Sequence, residues 1–241
     1  MGLYRTNAIV LRTYKLGEAD RIVSMITDTH GKVRAVAKGV RKTKSRIGAR
    51  LEPMSHVALL MYQGRGDLDV VSQADSIEQF RAIREDLDRL THASALIEAV
   101  DLISEEGQPD ERLYAMLGGA LRTLNTNDSA VIVSAFYWKL LAHSGYEPML
   151  DACVRCGIDD SDLLVGFDPA AGGMTCRSCT IGSRITAHAY DLLTRILGGQ
   201  LSSALREPAS AATHEVERLA TAALEHQLER RLKAGHLLDH A

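Results

Sequence analysis

The chain has 241 residues, of which 46% are hydrophobic and 24% charged. That composition excludes a disordered tail and gives a length able to bury a sizeable core in one large domain or two to three small ones. The net charge of −3 is unevenly spread: residues 1–80 hold thirteen Lys/Arg against eight Asp/Glu, the remainder fifteen against twenty-three, so only the front end suits a polyanion. Arg5 interrupts the start and no apolar h-region follows, which predicts no secretory leader. The opening Met1-Gly2-Leu3-Tyr4-Arg5-Thr6 fits a loose myristoylation pattern, but the next residues read as a core strand. No window has the length of a membrane span, and a cytoplasmic, soluble protein is expected.

From Thr6 to Ala74 the pattern is short-ranged and rich in β-branched residues, which predicts strands. Ala8–Leu11 gives the first and Ile22–Ile26 the second. Asp28-Thr29-His30-Gly31 is turn chemistry leading into Lys32–Ala37, where Val33, Ala35 and Ala37 share one face, with Lys32, Arg34, Val36 and Lys38 on the other. Val57–Tyr62 and Leu68–Val71 flank Gly64-Arg65-Gly66-Asp67 as a hairpin. Five strands with one long connection match a small closed barrel of the OB kind; an SH3-like barrel fits the same periodicity.

After Ser76 the period becomes helical. Ile83, Leu87, Leu90, Ser94 and Ile97 define a first helix stopped at Gly107, and Asp110 caps a second carrying Leu113, Leu117, Leu121 and Leu124. Asp128 caps a third, apolar nearly all round from Val131 to Leu141 and with Trp138 in its core, which Gly145 ends. Asp151–Ser183 is Gly- and Asp-rich and holds every cysteine. Thr186 caps a further helix with Tyr190, Leu193 and Leu197 on one side, stopped at Gly198-Gly199. A last helix follows Pro208, with Val216, Leu219, Ala223 and Leu228 inward and Arg230, Arg231 and Lys233 in its final turn, where cations suit the helix dipole. The expected fold class is therefore α+β and multidomain: a barrel at 1–80, a helical domain at 81–150 and 184–241, and a metal module inserted at 151–183.

Cys153, Cys156, Cys176 and Cys179 form two C-x2-C turns nineteen residues apart. Each turn aims two thiolates at one point, so the two complete a four-sulfur tetrahedron, and such a closed shell makes a zinc ion structural rather than catalytic. Paired disulfides, which a cytoplasmic chain disfavours, and unligated buried thiols are the alternatives. So small a loop buries too little surface to fold alone, and metal binding would supply the missing energy.

Between His30 and Leu51 there is no acid, while Lys32, Arg34, Lys38, Arg41, Lys42, Lys44, Arg46 and Arg50 crowd the stretch. Without interleaved acids this run reads as a phosphate-binding surface rather than a solvated charge run, and its lack of strict pattern suits backbone rather than base recognition. Arg34, Lys38, Arg41, Lys42, Lys44, Arg46 and Arg50 are the expected contacts. Gly39 and Gly48 would let the backbone approach a partner. Aromatic rings are few in the front domain, only Tyr4, Tyr14, Tyr62 and Phe80, so charge is expected to outweigh stacking. His214, His226, His236 and His240 are scattered solvated residues, His56 and His143 packing or surface residues. No nucleotide loop, metalloprotease pair or nucleophile elbow occurs, and no catalysis is expected.

The front of the chain resembles a known family. Ala8-Ile9-Val10-Leu11-Arg12, Leu16-Gly17-Glu18-Ala19-Asp20-Arg21-Ile22-Val23, His30-Gly31-Lys32-Val33 and Ala37-Lys38-Gly39-Val40-Arg41-Lys42 carry the likeness. Ser45-Arg46, Leu51-Glu52-Pro53 and Gly64-Arg65-Gly66-Asp67-Leu68 continue it in register, and the C-x2-C pair and Leu228–Lys233 agree with it. The chain resembles the RecO family of recombination mediators. The resemblance implies an N-terminal OB-fold, a helical domain and a zinc module. It also implies binding to single- and double-stranded DNA and annealing of complementary strands. The implied partners are RecR and, in many members, the tail of single-strand-binding protein, with RecA loaded indirectly during gap repair. A nucleoid-associated cytoplasmic location follows from that role. Two other functions fit the residues themselves: an RNA-binding or transcription-associated barrel with a zinc knuckle, and a protein scaffold whose basic loop serves acidic tails.

Overall fold

Strand β1 (Leu3–Leu16), with Ala8–Leu11 buried at its middle, is long enough to serve two neighbours at once. Its first half pairs with β4 (His56–Tyr62) and its second with β2 (Asp20–Thr27), and the register shifts between Val10 and Arg12. Such a bulge bends a strand, which lets β1 turn the corner between two ladders. Strands β3 (Gly31–Ala37) and β5 (Asp69–Glu78) run parallel and close the order β1-β2-β3-β5-β4 into a barrel. This order, with its parallel β3–β5 pair, is that of an OB-like barrel. Ala8, Val10, Val23, Met25, Ala35, Ala37, Val57, Leu59, Met61, Val71 and Ala74 fill its interior. The inward set on β3 is the one that alternation predicts.

The computed structural model describes residues 2–42, 45, 47–64, 66–127, 129–181 and 183–233. The chain divides into two compact units, Met1–Thr126 and Asn127–Ala241. The first joins to the barrel three helices, α1 (Arg81–Glu85), α2 (Leu87–Ile103) and α3 (Glu111–Thr126). β5 reaches Glu78, past the point where the period turns helical, and the helix expected from Ile83 to Ile97 is two. Asp86 is extended and its side chain accepts from the Arg89 backbone N–H, capping α2, so Leu87 turns outward and stands 76% exposed. Asp110 caps α3 as expected, accepting from Leu113 N at 2.8 Å, and Leu113, Leu117, Leu121 and Leu124 are all buried.

In the second unit α4 (Ile132–His143) is buried on nearly every side, with Trp138 1% exposed. It packs on α5 (Ala187–Leu197) and α7 (Ala211–Leu228); a short α6 (Leu201–Ala204) lies between these two in sequence. Asp128, expected to cap α4, lies outside the described residues. Thr186 caps α5, and Ser210 forms a capping box with Thr213 at the start of α7. α7 ends at Leu228 with Glu229 in the left-handed region, so Arg230, Arg231 and Lys233 fall beyond the helix rather than in its last turn. Strands β6 (Leu164–Asp168), β7 (Gly173–Cys176) and β8 (Ser183–Arg184) form a small sheet that carries the cysteine loops. No helix among the described residues is long and apolar enough to cross a membrane.

Candidate nucleic-acid interface and metal centre

Paired residues of neighbouring strands stand side by side, so the outer wall of the barrel is a series of rows. Three of them decide where a polyanion can land. The first holds Ile9, Ile26 and His56. The helices cover it: Ile9 Cδ1 comes within 3.6 Å of where a side chain at Gly118 would begin, and His56 Nε2 lies 2.6 Å from the Tyr114 hydroxyl.

The second row holds Arg12, Ser24 and Arg34. Here α2 and the segment after it bring acids to the barrel. Asp101 takes Arg12 Nε at 2.6 Å, Lys32 Nζ at 3.0 Å and a hydrogen bond donated by Ser24 Oγ at 3.3 Å. Arg34 Nε lies 2.7 Å from Glu106 Oε1, an ion pair without hydrogen-bond alignment. Arg12 and Arg34 of this row, and Lys32 beside Ile26 in the first, are matched from within the protein, and Arg34 is not one of the unpaired charges that its sequence setting suggests.

The third row is bare. Tyr14 pairs with Ile22, Ile22 with Val36, Val36 with Val70 and Val70 with Tyr62, all facing outward. Tyr14 and Tyr62 are each 49% exposed at the ends of an otherwise aliphatic stripe. Of the four front-end rings, only these two are so placed. Phe80 is buried, and Tyr4 donates to Asp69 while stacking at a tilt on His30.

Beyond the bare row runs the β3–β4 connection. Val40 and Leu51 plunge into the barrel core with Ile47 against it, so the connection is anchored at these three points. Its first turn is strapped to the β1–β2 turn: Gly39 N donates to Asp20 Oδ1 at 2.7 Å, Arg41 N to the Ala19 carbonyl at 3.0 Å, and Arg41 Nη1 to the Gly17 carbonyl at 3.0 Å. Gly39 sits at φ +67°, where a side chain is strained. Lys38 and Lys42 project from this turn, exposed, with no ion-pair partner among the described residues. Gly48 differs from expectation. A side chain there would begin 2.4 Å from the Val40 carbonyl oxygen, so this glycine serves the loop's own closure rather than a partner's approach.

The seven expected contacts thus separate. Lys38, Arg41 and Lys42 share one turn, and Lys44 and Arg46 lie outside the described residues. Arg34 is held by Glu106. Arg50 is tied to β5, donating through Nη1 to the Ala74 carbonyl at 2.6 Å and to Asp75 at 3.0 Å. Counting charges along the chain passed over Tyr14, which continues the outward alternation two residues beyond Arg12. It also passed over Asp20, which fixes the cationic turn without itself being basic.

In the second unit the four expected ligands converge. One ligand atom from each of Cys153, Cys156, Cys176 and Cys179 lies within 4.8 Å of all the others, and every cysteine is free of disulfides. Cys156 Sγ and Cys176 Sγ stand 3.7 Å apart. Sulfurs about 2.3 Å from a common tetrahedral centre are about 3.8 Å from each other, so the cluster has the dimensions of a four-thiolate metal shell. Burial opposes ionisation of Cys153, but hydrogen bonds from the backbone at Cys176, Arg155 and Cys156 outweigh it and bring that thiol down to about 6. Shared hydrogen bonds with Cys176 and Cys156 push the Cys179 thiol up to about 12. Four sulfurs so close cannot all ionise unless a cation discharges them. The cysteines can therefore hold a metal ion. Phe167 of β6 meets Trp138 edge-on at 5.4 Å, which packs the module on α4.

These features define a class of protein: an OB-like barrel with an uncovered apolar stripe beside a cationic turn, and a helical unit carrying a four-cysteine centre. Comparison with known proteins narrows it. Residues 1–80 match the family Recombination protein O N terminal, and residues 84–236 match Recombination protein O C terminal. The matches meet near residue 80, whereas compactness divides the chain after Thr126. The chain is 43% identical over 247 residues to a protein of Frankia casuarinae named DNA repair protein RecO, with all of both chains covered. It is 41% identical over 240 residues to one of the same name from Nocardioides sp., covering 96% of this chain and 97% of that one. A third, from Rubrobacter xylanophilus, is 45% identical over 181 residues, covering 74% and 72%. The chain belongs to the RecO family.

Proposed function

We propose that this protein acts in DNA repair as a DNA-binding recombination mediator. It binds and anneals single-stranded DNA and helps to place a recombinase on it. The observation that carries this is the bare row: next to one row covered by helices and another matched by acids, exposed Tyr14 and half-buried Ile22, Val36 and Val70 lie beside Lys38 and Lys42, which make no ion pair among the described residues. Strand faces and loops of OB barrels are where oligonucleotides are held, with bases on rings and backbone on cations. The names of the relatives support a repair role.

In this reading Lys38, Arg41 and Lys42 contact phosphates, joined by Lys44 and Arg46, while Tyr14 offers a stacking surface. Neutralising one strand's backbone lowers its repulsion of a second and so favours annealing. The protein performs no chemistry of its own. Its partners are single- and double-stranded DNA, RecR, the tail of single-strand-binding protein and, indirectly, RecA, which sets it in the cytoplasm at the nucleoid. The metal is zinc in a structural role, held by Cys153, Cys156, Cys176 and Cys179, and it supplies charge neutralisation that keeps the two cysteine turns together.

A salt-titrated binding and annealing assay on the full chain tests this. Five phosphate contacts give log–log salt dependence with a slope of about −3.5, at about 0.7 per contact for single strands. Lys38→Glu with Lys42→Glu should weaken binding by about tenfold or more and flatten that slope. Undiminished affinity would sink the site. Preference for RNA over single-stranded DNA of equal length would favour an RNA-binding role. Zinc measured on the same sample should be one per chain and should be lost in Cys176→Ser.

A further inference from the structure

The β3–β4 connection begins at Lys38 and ends at Ser55, and its far end opens onto a separate cleft of about 340 Å³ in the first unit. Arg50, Arg81 and Arg84 line it, together with Ser55, Ser76 and Gln79. Glu85 is the single acid in the lining.

Two turns build this cleft. Met54 and Phe80 are two of three non-glycine residues at positive φ among the described residues, at 69° and 45°. Both are buried, so packing holds them in a region that L-residues seldom adopt. Met54 turns the chain just before Ser55, and Phe80 turns it just before Arg81. Arg84 braces the two turns, donating through Nη2 to the Pro53 carbonyl at 2.9 Å and to Ser55 Oγ at 3.0 Å, and through Nε to the Gln79 carbonyl at 3.1 Å.

The donors are not used up. A guanidinium has five N–H groups. Arg50 spends Nη1 on Ala74 and Asp75. Arg84 spends Nε and Nη2 on its brace. Arg81 is exposed and makes no hydrogen bond or ion pair among the described residues. Three planar forks with hydroxyl and amide groups between them suit the tetrahedral oxygens of a phosphodiester. An acidic peptide fits less well, because no large apolar side chain lines the cleft to anchor one.

We infer that the Arg50–Arg81–Arg84 cleft is a second phosphodiester site, holding the backbone of a second strand while the first lies by Lys38 and Lys42. This rests on the DNA-binding function proposed above. Arg50, which sequence groups with the loop cations, belongs to this second site. The connection between β3 and β4 thus carries one cationic station at each end, and two strands held on one barrel are two strands whose mutual repulsion is already reduced.

Full-length protein, a short labelled oligonucleotide and its complement distinguish the alternatives. Arg81→Glu should bind the first strand within about twofold of native, anneal about fivefold or more slowly, and hold one oligonucleotide per chain at saturation instead of two. Native annealing and stoichiometry in Arg81→Glu would overturn the second site. So would a loss of first-strand affinity as large as that of Lys38→Glu with Lys42→Glu, since the two stations would then be one. Arg81-dependent capture of an acidic peptide with unchanged annealing would reassign the cleft to protein and overturn the inference. If Lys38→Glu with Lys42→Glu binds like native, the first station is misplaced and the two-station arrangement is overturned with it; if native protein binds no DNA even in dilute buffer, the DNA-binding function itself fails.

Discussion

One row of the barrel wall, with its neighbour Lys32, and the turn that follows β3 hold cations of the same kind in different circumstances. Arg12, Lys32 and Arg34 face Asp101, Glu98 and Glu106, and their charge is spent on fastening helices to the barrel. Lys38 and Lys42, a few residues on, make no ion pair among the described residues. Along the sequence all five lie in or next to the positive front end, and the acids that separate them come only after residue 97. A basic run measures where charge is made, and the fold decides where charge is left over.

The contrast can be broken most severely at its hinge. Asp101→Ala strands Arg12 and Lys32, both partly buried, and should cost about 2–3 kcal/mol, read as a lower urea midpoint. An unchanged midpoint would mean that the matched row holds nothing together. Tyr14→Ala tests the bare row. Loss of one stacked base costs about 1 kcal/mol, so single-strand affinity should fall about fivefold with the midpoint unmoved.

A smaller effect is expected on the acid side of stability. Burial tends to raise the Glu78 carboxyl, but hydrogen bonds from Arg122 and His56 outweigh it and hold the group below its ordinary value. A depressed carboxylate contributes stability above its unfolded value, near pH 4, which is lost as pH falls through the folded one. Glu78→Gln should therefore be less stable than native near neutrality and lose less on acidification, as successive urea titrations would show. Arg34→Ala should do least. Its cation already belongs to Glu106, so DNA affinity should stay within about twofold of native, and a larger drop would put the matched row inside the interface.

Much of this was legible beforehand, for reasons that differ from element to element. The strands and their inward residues follow from a period of two, and the four cysteines from spacing that only a shared centre explains. The caps at Asp110 and Thr186 were readable because capping is local chemistry. The break at Asp86 was not, since Leu87 continues the helical period that the structure abandons. OB-like order was not separable from an SH3-like one, because β3 and β5 pair across more than thirty residues with no local trace. The cationic turn could be read from composition, whereas the diversion of Arg34 and Arg50 depends on partners, Glu106 and Asp75, that no spacing rule links to them.

The matched row also bears on how a shortened version of the molecule would behave. Lys32 meets Asp101 across 69 residues. A fragment stopped at the end of the barrel would keep Arg12, Lys32 and Arg34 but lose the acids that answer them, and it would bare Ile9 and Ile26 as well. Such a piece would cling to any polyanion more tightly than its parent while being less stable, and affinities measured on it would overstate what the whole chain does.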